Sequence, residues 1–204
     1  MIGIVDYGSG NISAIANIYK HLRIPFLVSG NPHELAGADR FILPGVGAFD
    51  TVMNDLGKLG IIDMLNEEVI GKGKMAMGIC VGMQILANSS EEGEGNGLGW
   101  VPGRVRKIDA SRLNRAPKLP HMGWNSITPA DGQPIFADVD SEHGFYFLHS
   151  YYFDPDSSSD IIATVNYGGE LACGVRRKNV FGFQFHPEKS HGNGLAIFKN
   201  FAEI

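Results

Sequence analysis

Two residue patterns in this chain could carry covalent chemistry. Cys80 lies at the centre of Gly78-Ile79-Cys80-Val81-Gly82, a glycine-flanked nucleophile pattern. Far downstream, His186-Pro187-Glu188 sets an imidazole and a carboxylate two residues apart. A thiol becomes a working nucleophile when a base takes its proton, and the base needs a third group to fix its tautomer. On an extended chain residues i and i+2 face the same side, so Glu188 can reach the ring of His186. Pro187 stiffens the backbone between them. The chemistry this constellation suits is acyl transfer through a thioester, with Cys80 as nucleophile, His186 as base and Glu188 as its orienting carboxylate. Each motif alone also has a plainer reading. A buried cysteine can sit between packing glycines, and a His-Pro turn can carry a solvated glutamate.

A thioester mechanism also needs donors for an oxyanion. The N–H of Val81, just after the nucleophile, is one candidate. Leu43-Pro44-Gly45-Val46-Gly47 offers a second, because its glycines permit a peptide orientation that aims an N–H of Val46 or Gly47 at the developing charge. The same residues would serve in an ordinary tight turn. Cys173 lacks an elbow setting and reads as core, while His21 and His33 read as surface residues. His186 and His191 lack supporting ligands, so no metal is expected, and no cofactor.

The elements around these motifs must bring residues 44–47, 80–81 and 186–188 together. Apolar runs at 2–5, 26–28, 40–43 and 74–79 read as buried strands. Helical spacing recurs at Ile12, Ile15, Ile18, Tyr19 and Leu22, with Asn11 as the expected N-cap, and again over 61–70. A helical segment from Met83 to Asn88 follows the cysteine, completing the strand-turn-helix context of an elbow. This βαβ rhythm predicts an open, mostly parallel sheet with helices on both faces. Beyond about residue 98, short runs at 104–108, 125–128 and 145–148 are broken by Gly, Pro and Asp. Residues 171–176, a turn at 177–179, and 180–185 read as an antiparallel hairpin. A closing helix is expected over 192–201, with Leu195, Phe198 and Phe201 on one stripe. The expected whole is one α/β domain over 1–204 with an antiparallel extension.

Composition bounds the function class. The chain has 204 residues, 17 Lys and Arg against 22 Asp and Glu, and a formal charge of -5. That balance argues against nucleic acid as the principal partner. Two cysteines provide neither a disulfide framework nor a structural zinc set. The N-terminal MIGIVDYGSGN has no basic segment and its apolar run breaks at Asp6, so it reads as a strand rather than a signal peptide. No apolar stretch approaches a membrane span. A cytoplasmic protein is expected.

The motifs resemble those of the class I, or triad, glutamine amidotransferases. Within that class they are most similar to the glutaminase subunits of imidazole glycerol phosphate synthases. Matching segments run nearly the whole chain: DYGSGNI at 6–12, LPGVGAFD at 43–50, GICVGMQ at 78–84, LPHMGWN at 119–125, FLHSYY at 147–152 and QFHPEKS at 184–190. Val81 departs from the leucine commoner in the class, though its role rests on its backbone. The resemblance implies the class I amidotransferase fold and hydrolysis of L-glutamine, with substrate contacts from Gln84, Glu92, His149, Ser150 and Tyr151. It further implies a (β/α)8-barrel cyclase partner in a heterodimer, with Trp124 and Lys189 at the interface. That cyclase uses the ammonia to make imidazole glycerol phosphate and aminoimidazole carboxamide ribotide, in histidine biosynthesis. Paralogues of these subunits feed ammonia to the amidination of surface-polysaccharide sugars, and ANIYKHLRIP and HPEKSHGNG lean toward that branch. A stand-alone cysteine hydrolase is the alternative of another class.

Overall fold

The βαβ rhythm of the first eighty residues folds as its patterning requires. In the computed structural model, which describes residues 1–113 and 118–204, β1 (Ile2–Val5), α1 (Ile12–Leu22), β2 (Phe26–Ser29), α2 (Pro32–Leu35) and β3 (Arg40–Leu43) follow in turn. Then come α3 (Phe49–Lys58), α4 (Ile61–Leu65), β4 (Met75–Ile79) and α5 (Val81–Gln84). The helical expectation over 61–70 is met by α4, which runs on into a wider π-type turn at Asn66–Gly71. Helix α3 has no counterpart in the sequence reading.

The second half is richer in strands than its sequence suggests. It holds β5 (Ser89–Ser90), β6 (Gly103–Lys107), β7 (His121–Asn125), β8 (Thr128–Pro129), β9 (Phe145–His149), β10 (Tyr151–Pro155), β11 (Ile161–Asn166), β12 (Glu170–Arg177), β13 (Val180–Phe183) and α6 (His191–Glu203). The run expected as a strand at 125–128 is divided. Its first residue ends β7, Thr128 opens β8, and Ile127 is a lone buried apolar residue between them. The expected hairpin is present as β12 and β13, paired antiparallel.

Eight strands form one sheet in the order β2-β1-β3-β4-β13-β12-β11-β8. The first five are mutually parallel and the last three add on antiparallel. Strands β10, β6 and β5 make a small second sheet, and β7 pairs β9 antiparallel. Strand β13 shows how both faces are covered. Phe181 meets Phe201 of α6 edge-on, and Phe183 meets Phe136 on the same side. Between them, a Cβ on Gly182 would lie 2.7 Å from Met83 of α5, on the opposite face.

Parallel strands place their C-terminal ends at one edge, where ligands of open α/β sheets bind. Register aligns Leu43 with Gly78 and Phe183 with Ile79, so Gly45, Cys80 and Gln184 follow at one level where the three strands end.

Candidate active site

Cys80 follows β4 directly and precedes the first turn of α5. Its φ of 55° and ψ of -112° lie where side chains are disfavoured, and its N–H donates to the Phe183 carbonyl at 2.7 Å. The flanking glycines make room for this turn. A Cβ on Gly78 would lie 2.3 Å from the Gly82 carbonyl oxygen, and one on Gly82 would lie 1.9 Å from that of Leu43. A Cβ on Gly45 would meet the Gly82 nitrogen at 2.2 Å. The glycines thus seat the 44–47 loop directly on the elbow. Val81, at the helix start, presents an N–H that has no carbonyl one turn back to bond.

The 44–47 loop is held from behind by the DYGSGN segment. Tyr7 donates its hydroxyl to the Pro44 carbonyl, and Ser9 donates to the Val46 carbonyl at 2.7 Å. Gly47 has a φ of 104°, a backbone state glycine adopts without penalty.

His186 and Glu188 meet as their spacing predicts, by a different backbone path. The chain does not stay extended but turns tightly over Pro187–Lys189. The proline's fixed φ suits such a turn. His186 Nδ1 lies 2.8 Å from Glu188 Oε1, with both side chains 2% exposed. Burial alone would depress the imidazole. The Cys80 and Glu188 side chains override it and raise His186 from 6.5 to about 9. Burial likewise opposes ionisation of Glu188, but the hydrogen bond and charge of His186, with help from Asn11, hold its carboxyl below the ordinary value. The arrangement favours an imidazolium held against the Glu188 carboxylate.

Asn11 holds the N-cap position of α1 as expected, but its side chain serves elsewhere. Expected as an N-cap, its side chain makes no cap bond. Its Nδ2 instead donates to Glu188 Oε1 at 2.6 Å. The helix still starts there, because the Asn11 carbonyl accepts from the N–H of Ile15.

A cleft of about 280 Å³ opens on the sulfur. Val46 and Gly47, Cys80 and Val81, Gln84, Glu92, the 148–151 segment and His186 line it, together with Pro120. The structure thus gathers every expected oxyanion and substrate residue around Cys80. It leaves Trp124 and Lys189 outside, 41% exposed and exposed respectively. Glu92 spends Oε2 on the N–H of Phe49 at 2.8 Å, leaving Oε1 for a ligand. Gln84 spends both amide hydrogens inward, on the Tyr151 carbonyl and the Gln184 carboxamide.

His149 is more constrained than the sequence implies. Its Nδ1 faces the Tyr151 carbonyl at 2.7 Å, so Nδ1 must carry the proton. Nε2 is then an acceptor, filled by Nδ1–H of His121 at 2.9 Å, and His121 Nε2 accepts in turn from Asn125. Burial pushes His149 down to about 4, which keeps its own ring neutral. Both ring nitrogens are occupied, so what the residue offers a ligand is backbone and ring edge. His121, stacked between Phe147 and Tyr167, is a supporting residue that the sequence reading passed over. Among the described residues no cluster of His, Cys, Asp and Glu is placed to hold a metal, and no helix is long and apolar enough to cross a membrane.

Known proteins share this framework. Solved structures share the fold at low identity. A crystal structure of a glutamine amidotransferase matches with a TM-score of 0.73 at 20% identity, covering 100% of this chain and 99% of that one. The structure of PurLQS from Thermotoga maritima matches with a TM-score of 0.66 at 18% identity, covering 99% and 97%. Curated relatives are far closer in sequence. The chain is 47% identical to the imidazole glycerol phosphate synthase subunit HisH of Leptospira borgpetersenii, over 100% of both chains. It is 50% identical to HisH of Bdellovibrio bacteriovorus and 45% to HisH 2 of Pseudomonas aeruginosa, again over 100% of both. The family model for class-I glutamine amidotransferases matches residues 3–204, and with relatives of this identity over their full length, the chain belongs to that family of enzymes.

Proposed function

We propose that this chain is the glutaminase subunit of an imidazole glycerol phosphate synthase, with residues 1–204 acting as one amidotransferase domain. The observation that carries the reading is the buried line of Cys80, His186 and Glu188 opening into a cleft of substrate size, in a chain with full-length HisH relatives. His186 takes the thiol proton, and Cys80 Sγ attacks the side-chain carbonyl carbon of glutamine. The new C–S bond pushes an electron pair onto oxygen, where N–H groups of Val81 and the Val46-Gly47 loop hold it. His186 returns its proton to the departing nitrogen, the C–N bond breaks, and ammonia leaves. Water, activated by His186, then hydrolyses the thioester to glutamate and restores the thiol. Oε1 of Glu92 suits the substrate's α-ammonium, while Gln84, His149, Ser150 and Tyr151 shape the rest of the pocket.

Free ammonia in neutral water is mostly protonated and no longer nucleophilic, so direct transfer to an acceptor subunit is required. The surface beside the cleft suits docking. Met122 and Trp124 on β7 and Leu148 on β9 are exposed apolar residues, with Met122 directly opposite Leu148. The Leu148 carbonyl itself faces Cys80 Sγ at 3.8 Å. Lys189 lies over the Tyr146 ring, opposite Trp124 in the register. A (β/α)8-barrel cyclase is the proposed occupant. Its acceptor is the phosphoribosyl-formimino carboxamide ribotide, and its products serve histidine biosynthesis.

The test is glutamine hydrolysis by wild type and Cys80→Ala, each with and without the cyclase and its acceptor. Activity that needs Cys80 and rises with the loaded cyclase is expected. Full turnover by the chain alone would favour a stand-alone hydrolase. Ammonia transfer only to a sugar-amidinating partner would favour the surface-polysaccharide branch.

A further inference from the structure

Gln184 is wholly buried between Phe183 and Phe185, two residues before His186, and no step of the proposed reaction uses it. Its neighbours fix which way its carboxamide points. Gln84 lies 3.1 Å from the Tyr151 carbonyl, which can only accept, so the Gln84 atom there is the nitrogen. That same nitrogen lies 3.0 Å from Gln184, so the facing Gln184 atom must be its oxygen. The Gln184 nitrogen is therefore left pointing at Cys80 Sγ, 3.7 Å away. Two carboxamides thus form a one-way relay that begins at a main-chain carbonyl and ends on the sulfur.

We propose that Gln184 is a catalytic residue whose N–H donates to the Cys80 sulfur and stabilises its anionic form. The inference rests on the reading of Cys80 as nucleophile. As a thiol, the sulfur can donate to the Leu148 carbonyl at 3.8 Å while accepting from Gln184. As a thiolate it can only accept. The Leu148 contact then turns unfavourable, while the Gln184 bond becomes charge-assisted and strengthens. The residue acts twice in one turnover. It favours transfer of the thiol proton to His186, and it stabilises the sulfur again when the thioester C–S bond breaks and the electron pair returns to sulfur. Gln84 is the positioning residue that keeps the donor end of Gln184 turned toward Cys80.

The test uses the full chain with Gln184→Met, which keeps length without a donor, and Gln184→Glu, which keeps shape and the oxygen facing Gln84. Alkylation of Cys80 by iodoacetamide is followed against pH; Cys173 is fully buried and does not compete. The midpoint is expected to rise by about one pH unit in the Met variant and further in the Glu variant. Glutaminase kcat should fall about tenfold in the Met variant, with KM within about twofold. If one variant fails to fold, the other decides. Folded variants whose alkylation midpoints match wild type overturn the proposal, as does a loss of thermal stability with an unchanged alkylation profile. Wild type that neither alkylates at Cys80 nor hydrolyses glutamine would instead overturn the assignment of the nucleophile.

Discussion

Replacing Glu188 with glutamine removes one charge and almost no volume. The rise of His186 from 6.5 to about 9 corresponds to about 3 kcal/mol favouring the imidazolium. The Cys80 and Glu188 side chains share that rise, each by a hydrogen bond and by charge, and both work against burial. Glu188's share is taken as about 2 kcal/mol, the range for a buried hydrogen bond to a charged group. If that energy is expressed in the transition state, kcat for glutamine falls about 30-fold in Glu188→Gln. KM should stay within about twofold, because Glu188 does not line the cleft. The same energy appears in stability with a definite pH window. His186 is raised, so its pairing stabilises the fold fully below pH 6.5 and is lost as pH climbs through about 9. Glu188 is depressed, so its share is complete above 4.5 and is lost as pH falls through its lowered value. Urea unfolding should therefore separate wild type from Glu188→Gln most widely between 4.5 and 6.5, and much less at about pH 10. A kcat within threefold of wild type, or a stability gap unchanged from about pH 5.5 to about pH 10, would refute the reasoning.

Three further outcomes follow from the same geometry. Asn11→Ala removes the only side-chain donor to Glu188, among the described residues, that comes from outside the 186–188 turn; steady-state assays should show kcat down about tenfold with KM nearly unchanged. Cys80→Gly should unfold at higher temperature than Cys80→Ala, by an energy of about 1 kcal/mol, because φ 55° and ψ -112° suit glycine and strain alanine. Trp124→Ala should weaken binding of the cyclase about 30-fold in calorimetric titration, while the exposed indole's loss changes the thermal midpoint of the isolated chain little.

What could be read from the sequence follows a physical division. The elbow was legible because its glycines encode close approach: Gly78, Gly82 and Gly45 each sit where a Cβ would collide with backbone, and that demand shows as residue type. The imidazole–carboxylate pair was legible because two residues apart is within reach on either an extended chain or a tight turn, so the meeting survives the wrong backbone assumption. Strands β1, β3 and β4 were legible because burial on both faces makes them continuous apolar runs. Strands β10 and β11 carry polar residues among apolar ones and escaped notice.

The residues that escaped at the site share one property. Asn11, Gln184 and His121 act through partners 177, 104 and 28 positions away, and nothing in an asparagine, glutamine or histidine announces which distant group it will meet. Asn11 and His121 contribute orientation rather than reactivity, and Gln184 contributes a single donor aimed at the sulfur. Asn11 steadies the carboxylate, His121 donates to the His149 ring whose tautomer the Tyr151 carbonyl fixes, and the proposed donor of Gln184 faces sulfur. A reactive group must have a particular chemical type, and type is visible in sequence. An orienting group needs only a donor or acceptor at the right place, and place exists only after β1, β4, β9 and β13 have brought their ends together. The residues proposed as the triad were therefore readable before the fold was known, whereas the groups that orient them become readable only through the fold.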